Sequence, residues 1–421
     1  MNPSQLSIPP GTAGPEFQPN LPGRHRSSRI WRKVFQISTI IGLIALTLLL
    51  FNVSNSAFGY VAYKFRVDPA TLALDGVVLE DMDHTQLTMV LSQNISANAY
   101  KGLDRDKPIA TRSESELRTL IAQRITRPEV LGVWSLSDSI FNRSKVEAEA
   151  IAIDPDATLV FKSWLTADFI QAPQAADPLW AGVWYAINGS LWTILICIVV
   201  AFPLGISAAI YLEEYSTDSW MQRIIQTNIN NLAGVPSIIY GILGLALFVR
   251  ALEPLTSGAI FSLTDATTAN GRTILSAGLT LALLILPVII INSQEAIRAV
   301  PGSLREASYG LGATRWQTVW SHVLPNAIPG ILTGTILSVS RAIGETAPLV
   351  VVGASTYLTF NPDGPFSKFT TLPIQIYQWT SRPQAEFRSA AGAAILVLLV
   401  LLLSLNAAAI LLRNRYSRRL Q

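Results

Sequence analysis

Cysteine is almost missing from this chain: its 421 residues hold one, Cys197, in an apolar run, so neither an internal disulfide nor a cysteine-based metal site can form. Histidine is nearly as scarce, with three copies, and His84 has only Asp81 and Asp83 as nearby partners, without a second imidazole or a thiol. A solvated acidic turn accounts for that group better than a metal site does. Charge is thin as well, at 14% of residues, while half of the residues are hydrophobic. That balance excludes an ordinary soluble core and places the chain in the membrane class. The net charge is only +3, and basic residues gather at the two ends, not in a stripe, so nothing suggests DNA or RNA as a partner. The pattern G-x-x-x-x-G-K-[ST] does not occur, so this chain cannot itself be a P-loop ATPase.

What is present is a series of long apolar runs. Residues 1–23, rich in Pro, Gly, Ser, Asn and Gln, together with Arg24, Arg26, Arg29, Arg32 and Lys33, read as a disordered basic tail, 1–33. The uncharged run "VFQISTIIGLIALTLLLFNV" follows and is long enough to cross a bilayer, giving a first transmembrane helix over 34–54. A signal peptide cleaved near "SNSA" at 54–57 is the competing reading, but the run exceeds the usual length of a signal core. Five more runs, at about 188–212, 229–250, 272–294, 328–354 and 389–412, complete an all-α polytopic membrane protein with six transmembrane helices. Six spans put both ends on one side. The basic residues at the N-terminus, and Arg413, Arg415, Arg418 and Arg419 in a 413–421 tail, place that side in the cytoplasm. Glu213, Glu214 and Asp218 in one inside loop, and Lys368, Arg382 and Arg388 in an outside loop, run against this assignment.

Between spans one and two, residues 55–180 have soluble composition, and 60–180 holds 17 acidic and 12 basic residues. This reads as an extracytoplasmic insertion. Strand-like "DGVVLED" and "ATLVFKSWL", and the helical spacing of "ESELRTLIAQRI", predict a small α+β unit.

The loop between spans four and five, 295–325, is far longer than a turn requires. Ser303 and Glu306 have capping-box spacing after Pro301-Gly302, which predicts a helix starting at about Leu304. Gly312 can close that helix in the left-handed conformation. Thr314 and Gln317 repeat the capping-box spacing, so a second helix should start at Arg315 and stop before Pro325. Trp316, Val319, Trp320 and Val323 recur at i, i+3, i+4 and i+7, which puts them along one face. That face could lie on the bilayer interface or dock into a groove on a cytoplasmic protein.

Projected at about 100° per residue, span five places Gly334, Ser338, Arg341, Glu345 and Pro348 within an arc of about 80°, opposite Leu332, Ile336, Val339, Ile343 and Val350. Two charges inside a span are costly, so this face should meet other helices or a watery path. Arg341 and Glu345, at i and i+4, could form a pair that only locks the bundle. Alternatively, the guanidinium could offer its planar donors to an oxyanion while Glu345 positions it.

"EASYGLGATRWQTVWSHVLP" resembles the EAA loop of permeases in binding-protein-dependent ABC importers. Glu306, Ala307, Gly312, Leu324 and Pro325 match that pattern, whereas Ser308 and His322 depart from it. With "PLGISAAIYLEEYS", "GVPSIIYGILGL" and "RAIGETAPL", residues 181–412 look like the PstA-type permease family of phosphate importers. The resemblance implies a type I ABC importer permease fold with no enzyme activity or cofactor of its own. ATP would be used by a partner ATPase, and the cell location would be the bacterial inner membrane. It implies three kinds of partner besides the lipid bilayer: a second, PstC-like permease, two ATP-binding subunits and an extracytoplasmic phosphate-binding protein. Arg341, Glu345, Ser338 and Thr346 would line the substrate path, and Glu306, Ala307, Gly312, Trp316, Leu324 and Pro325 would form the ATPase-coupling loop. Another oxyanion in the same importer class, or an ion-coupled secondary transporter with Glu345 as its carboxylate, are the alternatives. The insertion at 55–180 exceeds the short loop expected of the family.

Overall fold

The computed structural model describes residues 21–74, 76–262, 270–355, 357–358 and 360–417. The tail 1–20, Arg418 and Arg419 lie outside the described residues. The chain divides between Asn52 and Val53 into two compact units. The first is built on helix α1, Leu21–Ala57, which starts well before the expected boundary, so residues 21–33 are helix and not tail. Pro22 sits in its first turn, where a missing N–H costs nothing. Large apolar side chains from Ile30 to Phe51 are exposed on all sides of this helix. A helix apolar all round and uncovered by protein is one that lipid must solvate. The small-residue run at 54–57 remains helical, and Ala57 is fully buried.

In the second unit, strand β1, Phe58–Lys64, follows the helix end without a loop. It pairs antiparallel with β2, Glu129–Val133, on one side and β3, Thr158–Ser163, on the other, giving the order β2-β1-β3. Around the sheet run α2 (His84–Asn94), α3 (Ala97–Asp106), α4 (Glu114–Ile121), α5 (Leu136–Phe141), α6 (Arg143–Ile153) and α7 (Ala167–Gln171). The insertion is α+β. "ATLVFKSWL" supplies β3 and "ESELRTLIAQRI" supplies α4, but "DGVVLED" is not a strand: Leu74 and Val77 form one isolated bridge around Gly76 at φ +79°. Asp83 caps α2, accepting from the Gln86 amide at 2.8 Å while Gln86 accepts from the Asp83 amide. One apolar cluster joins Val61, Tyr63, Trp164 and Phe169 of the insertion to Trp379, Phe387, Ala390 and Ala394, so the sheet is packed onto the helical body.

The helical body comprises α8 (Trp184–Ile210), α9 (Trp220–Ala233), α10 (Ser237–Gly244), α11 (Glu253–Thr256), α12 (Ile274–Arg298), α13 (Gly302–Gly310), α14 (Arg315–Thr318), α15 (Leu324–Gly344), α16 (Ala347–Val352), α17 (Leu372–Thr380) and α18 (Ala385–Ser417). Five helices among the described residues are long and apolar enough to span a membrane, or six with α9 and the helix after it counted as one broken span. The third span, expected as one run at 229–250, is bent by 106° between Ala233 and Ser237, where Gly234 and Pro236 interrupt the helix. α12 is the most buried span and packs on α8 and α15. Gly330 and Gly334 of α15 face it one turn apart: a Cβ would lie 2.8 Å from the Ala296 Cβ at the first and 2.4 Å from the Asn292 Cβ at the second. This is the small-xxx-small device that lets two membrane helices approach closely.

Two further expectations are corrected here. The helix starting at Arg315 does not stop before Pro325: it passes through a π-turn at Val319–Val323 into α15, and Pro325 falls in the first turn of that helix, where it is tolerated. Span five is not one helix over 328–354 either, since α15 ends at Gly344 and α16 begins at Ala347. The cause is Pro348, which has no N–H for the Gly344 carbonyl and whose ring would clash with it.

Candidate functional site

The break in span five sets the geometry of the charged pair. Glu345 leaves the helix in an extended conformation, φ −73° and ψ 124°. From there its Oε1 accepts a hydrogen bond from Arg341 Nε at 3.3 Å. Of the five guanidinium donors only this one is engaged among the described residues, which leaves the terminal N–H groups available. The Arg341 side chain is 52% exposed and that of Glu345 17%. The arginine also stands near the end of a helix, where its charge complements the dipole.

The polar face expected for span five is divided in two. Gly334 and Ser338 are buried; Gly334 packs against α12, and Ser338 Oγ donates back to the Gly334 carbonyl at 3.0 Å. Arg341 instead shares an open face with Thr333 and Leu337. Pro348 and Val350, beyond the break, follow the axis of α16. Thr346 is half-buried at the junction. Val339 and Ile343, on the aliphatic side of the projection, pack into the main core. α16 is held against α10 through Gly241, where a Cβ would come within 2.7 Å of the Pro348 Cα. Arg341 is electrostatically close to Tyr240, the neighbour of that glycine.

At the other end of α15, α13 and α14 form a helical hairpin. Gly312 closes the first helix at φ +82°, and Thr314 and Gln317 form the expected capping box, with Thr314 accepting from the Gln317 amide at 3.3 Å and Gln317 from the Thr314 amide at 2.9 Å. Ser303 and Glu306 do not cap: α13 starts at Gly302 without a side-chain cap. That leaves Glu306 exposed beside Ala307. Trp316, Val319, Trp320 and Val323 do not share one face. The valines are buried, and the tryptophans stack on the outside, with ring centroids 5.5 Å apart. Leu324 and Pro325 are half-buried at the foot of α15.

Sequence reasoning missed what holds this hairpin. Arg298 makes a two-pronged pair with Glu213, at 2.8 and 2.7 Å. Arg305 reaches Glu214 at 3.0 and 2.7 Å and also donates to the Val300 and Ile297 carbonyls at 2.8 and 2.9 Å. The acidic pair that ran against the inside assignment is therefore the counter-charge of two arginines. Ser308, the departure from the EAA pattern, places its Oγ 2.8 Å from Thr318 Oγ1 across the hairpin. Within the membrane body, Ser340 Oγ donates to Asn406 Oδ1 at 2.6 Å and links α15 to α18. None of these side-chain pairs is signalled by local spacing, because each joins two different elements, from ten residues apart at Ser308 and Thr318 to 91 at Glu214 and Arg305.

The family model described as "Binding-protein-dependent transport system inner membrane component" matches residues 201–421, just over half of the chain, and that match takes in both the hairpin and the broken span. The chain belongs to this family. It is a translocation component and not itself a catalyst. Among relatives, "Phosphate transport system permease protein PstA 1" of Mycobacterium tuberculosis (strain CDC 1551 / Oshkosh) is 40% identical over 240 residues, covering 56% of this chain and 72% of its own length. "Phosphate transport system permease protein PstA" of Mycobacterium leprae (strain TN) is 39% identical over 228 residues, covering 53% and 68%. Among solved structures, an inward-facing MetNI methionine ABC transporter is 17% identical, covers 56% of this chain and 94% of its own, and has a TM-score of 0.38. The α+β insertion precedes the part matched by the family model.

Proposed function

We infer that this chain is the PstA-type permease subunit of an ATP-driven importer that moves inorganic phosphate across the bacterial inner membrane by alternating access. The reading is carried by the Arg341–Glu345 pair at the break in span five: the carboxylate holds one edge of the guanidinium and leaves the other donors free for a tetrahedral oxyanion. The names of the relatives favour phosphate. Arg341 and Glu345 serve as the polar station of the path, Thr346 stands at the junction, and Ser338 supports the helix from its buried side.

The partners are a PstC-like permease, two ATP-binding subunits that use the ATP, and an extracytoplasmic phosphate-binding protein. The exposed Glu306, Ala307, Gly312 and Trp316 face the ATPase, while Leu324 and Pro325 transmit its movement into α15. Both termini are cytoplasmic and the insertion extracytoplasmic. Support comes from the basic residues that flank the first and last spans, Arg26, Arg29, Arg32 and Lys33 at one end and Arg413 and Arg415 at the other.

The test is phosphate-dependent uptake and ATP hydrolysis by the reconstituted complex, with sulfate as competitor. The reading expects uptake to be abolished in Arg341→Ala while assembly survives. Uptake at the normal rate in that variant, or equal response to sulfate, would overturn it.

A further inference from the structure

Helix α5 in the insertion is built to be apolar at its end. Ser135 caps its start, accepting from the Asp138 amide at 3.2 Å, and its last two residues, Ile140 and Phe141, expose 60% and 80% of their surface. The insertion exposes other large apolar side chains, Ile151, Ile153 and Phe161 among them, but Ile140 and Phe141 are adjacent and Phe141 is the most open of them, and such a pair calls for a covering surface.

Their position indicates which one. Asn55, in the last turn of spanning helix α1, accepts from the Ser137 amide at 2.6 Å and from Ser137 Oγ at 2.7 Å. Ile140 and Phe141 follow Ser137 by about one helical turn, or roughly 5 Å. The same level of the membrane is marked on α18, where Gly392, one turn inside Arg388, would place a Cβ 3.2 Å from the Val53 carbonyl and 3.3 Å from the Ala57 amide. The placement is rigid. The Tyr60 amide donates to Ser139 Oγ at 2.8 Å, the Trp134 amide donates to the Tyr60 carbonyl at 2.9 Å, and β1 approaches so closely that a Cβ on Gly59 would lie 2.0 Å from the Trp134 carbonyl oxygen.

We propose that α5 is an interfacial anchor: Ile140 and Phe141 insert into the boundary between lipid headgroups and acyl chains. The contact is apolar in origin. The cations that follow, Arg143 and Lys145, are paired with Glu147 at 2.8 Å and Glu149 at 3.7 Å, so they contribute little attraction to anionic headgroups. The anchor holds the sheet, and through it the packed ends of α17 and α18, at a fixed depth. It does not depend on which anion is carried.

The complete complex, with its partner subunits free of reactive cysteine and Cys197→Ala in this chain, is labelled with an environment-sensitive dye at Phe141→Cys and, separately, at Ile140→Cys, then placed in lipid nanodiscs. Lipids with a nitroxide near the ester end of the acyl chain should quench either label at least twofold more than aqueous iodide does, equally in zwitterionic and anionic bilayers. Iodide quenching equal to that of the free dye overturns the proposal, because α5 is then in water. Shielding from both quenchers overturns it in favour of a protein partner, and quenching that requires anionic lipid overturns the apolar origin.

Discussion

Ser308 Oγ and Thr318 Oγ1 stand 2.8 Å apart in the buried angle between α13 and α14. One short hydroxyl pair thus fixes the angle of the hairpin that presents Glu306 and the stacked tryptophans.

Ser308→Ala leaves Thr318 buried without its partner and should cost about 1–2 kcal/mol locally. Hydrogen exchange should speed up by about tenfold over residues 303–320. The double variant Ser308→Ala/Thr318→Val removes both polar groups and should restore most of that protection; a double variant as loose as the single one would assign the effect to packing.

Arg305 and Glu214 form the most buried ion pair among the described residues, with side chains 20% and 6% exposed. Removing one partner strands the other, at about 1–3 kcal/mol for this partly solvated pair. Arg305→Ala should therefore weaken co-purification with the ATPase more than Glu306→Ala disturbs folding. The exchange Arg305→Glu/Glu214→Arg should recover part of it.

Gly241 admits Pro348 to the surface of α10. Gly241→Ala adds a methyl group where no space exists, with an overpacking cost of about 1–3 kcal/mol. Relief by displacing α16 should lower uptake severalfold while leaving ATPase binding intact. Normal uptake would show that the α10–α16 contact can shift freely.

Burial beside Trp164 and Tyr63 pulls the Lys162 ammonium down from its ordinary 10.5 to about 8, with Asp177 opposing the shift. A folded-state value below the unfolded one means the insertion carries the full cost of the buried charge below about pH 8. Stability then rises as pH climbs from about 8 towards 10.5, with a ceiling of about 3 kcal/mol. Lys162→Met should flatten that rise. A titration of isotope-methylated lysines in the intact complex should place this one near 8.

Trp316 is exposed and, among the described residues, stacks on Trp320 alone. Trp316→Ala should change thermal stability by no more than about 0.5 kcal/mol. It should nevertheless reduce phosphate-stimulated ATP hydrolysis severalfold, and an unchanged rate would remove this residue from the coupling surface.

Features governed by local backbone rules were legible in the sequence. The Thr314–Gln317 capping box, the left-handed turn at Gly312 and β3 each follow from residues within a few positions of one another. Pro348 already carried the signal for the break in span five. A helical projection carried through it misplaced Pro348 and Val350, because the projection assumes an unbroken ladder of hydrogen bonds. The tryptophans and valines of α14 were projected on a regular helix, but Val319–Val323 is a π-turn that departs from that register, and burial sorted them.

The sequence by itself determined that this chain crosses a membrane several times, where two charges interrupt an apolar span, and where a structured hairpin joins two spans. Long apolar runs need lipid, and Gly, Pro and capping residues act on their own neighbours. Only the tertiary structure decided that Glu213 and Glu214 are the counter-charges of Arg298 and Arg305, that Ser338 is buried while Arg341 is open, and that α5 is tied to the end of α1 through Asn55. Those relationships join groups remote along the chain, and their energies exist only once packing has brought the groups within a few ångströms and removed the water between them.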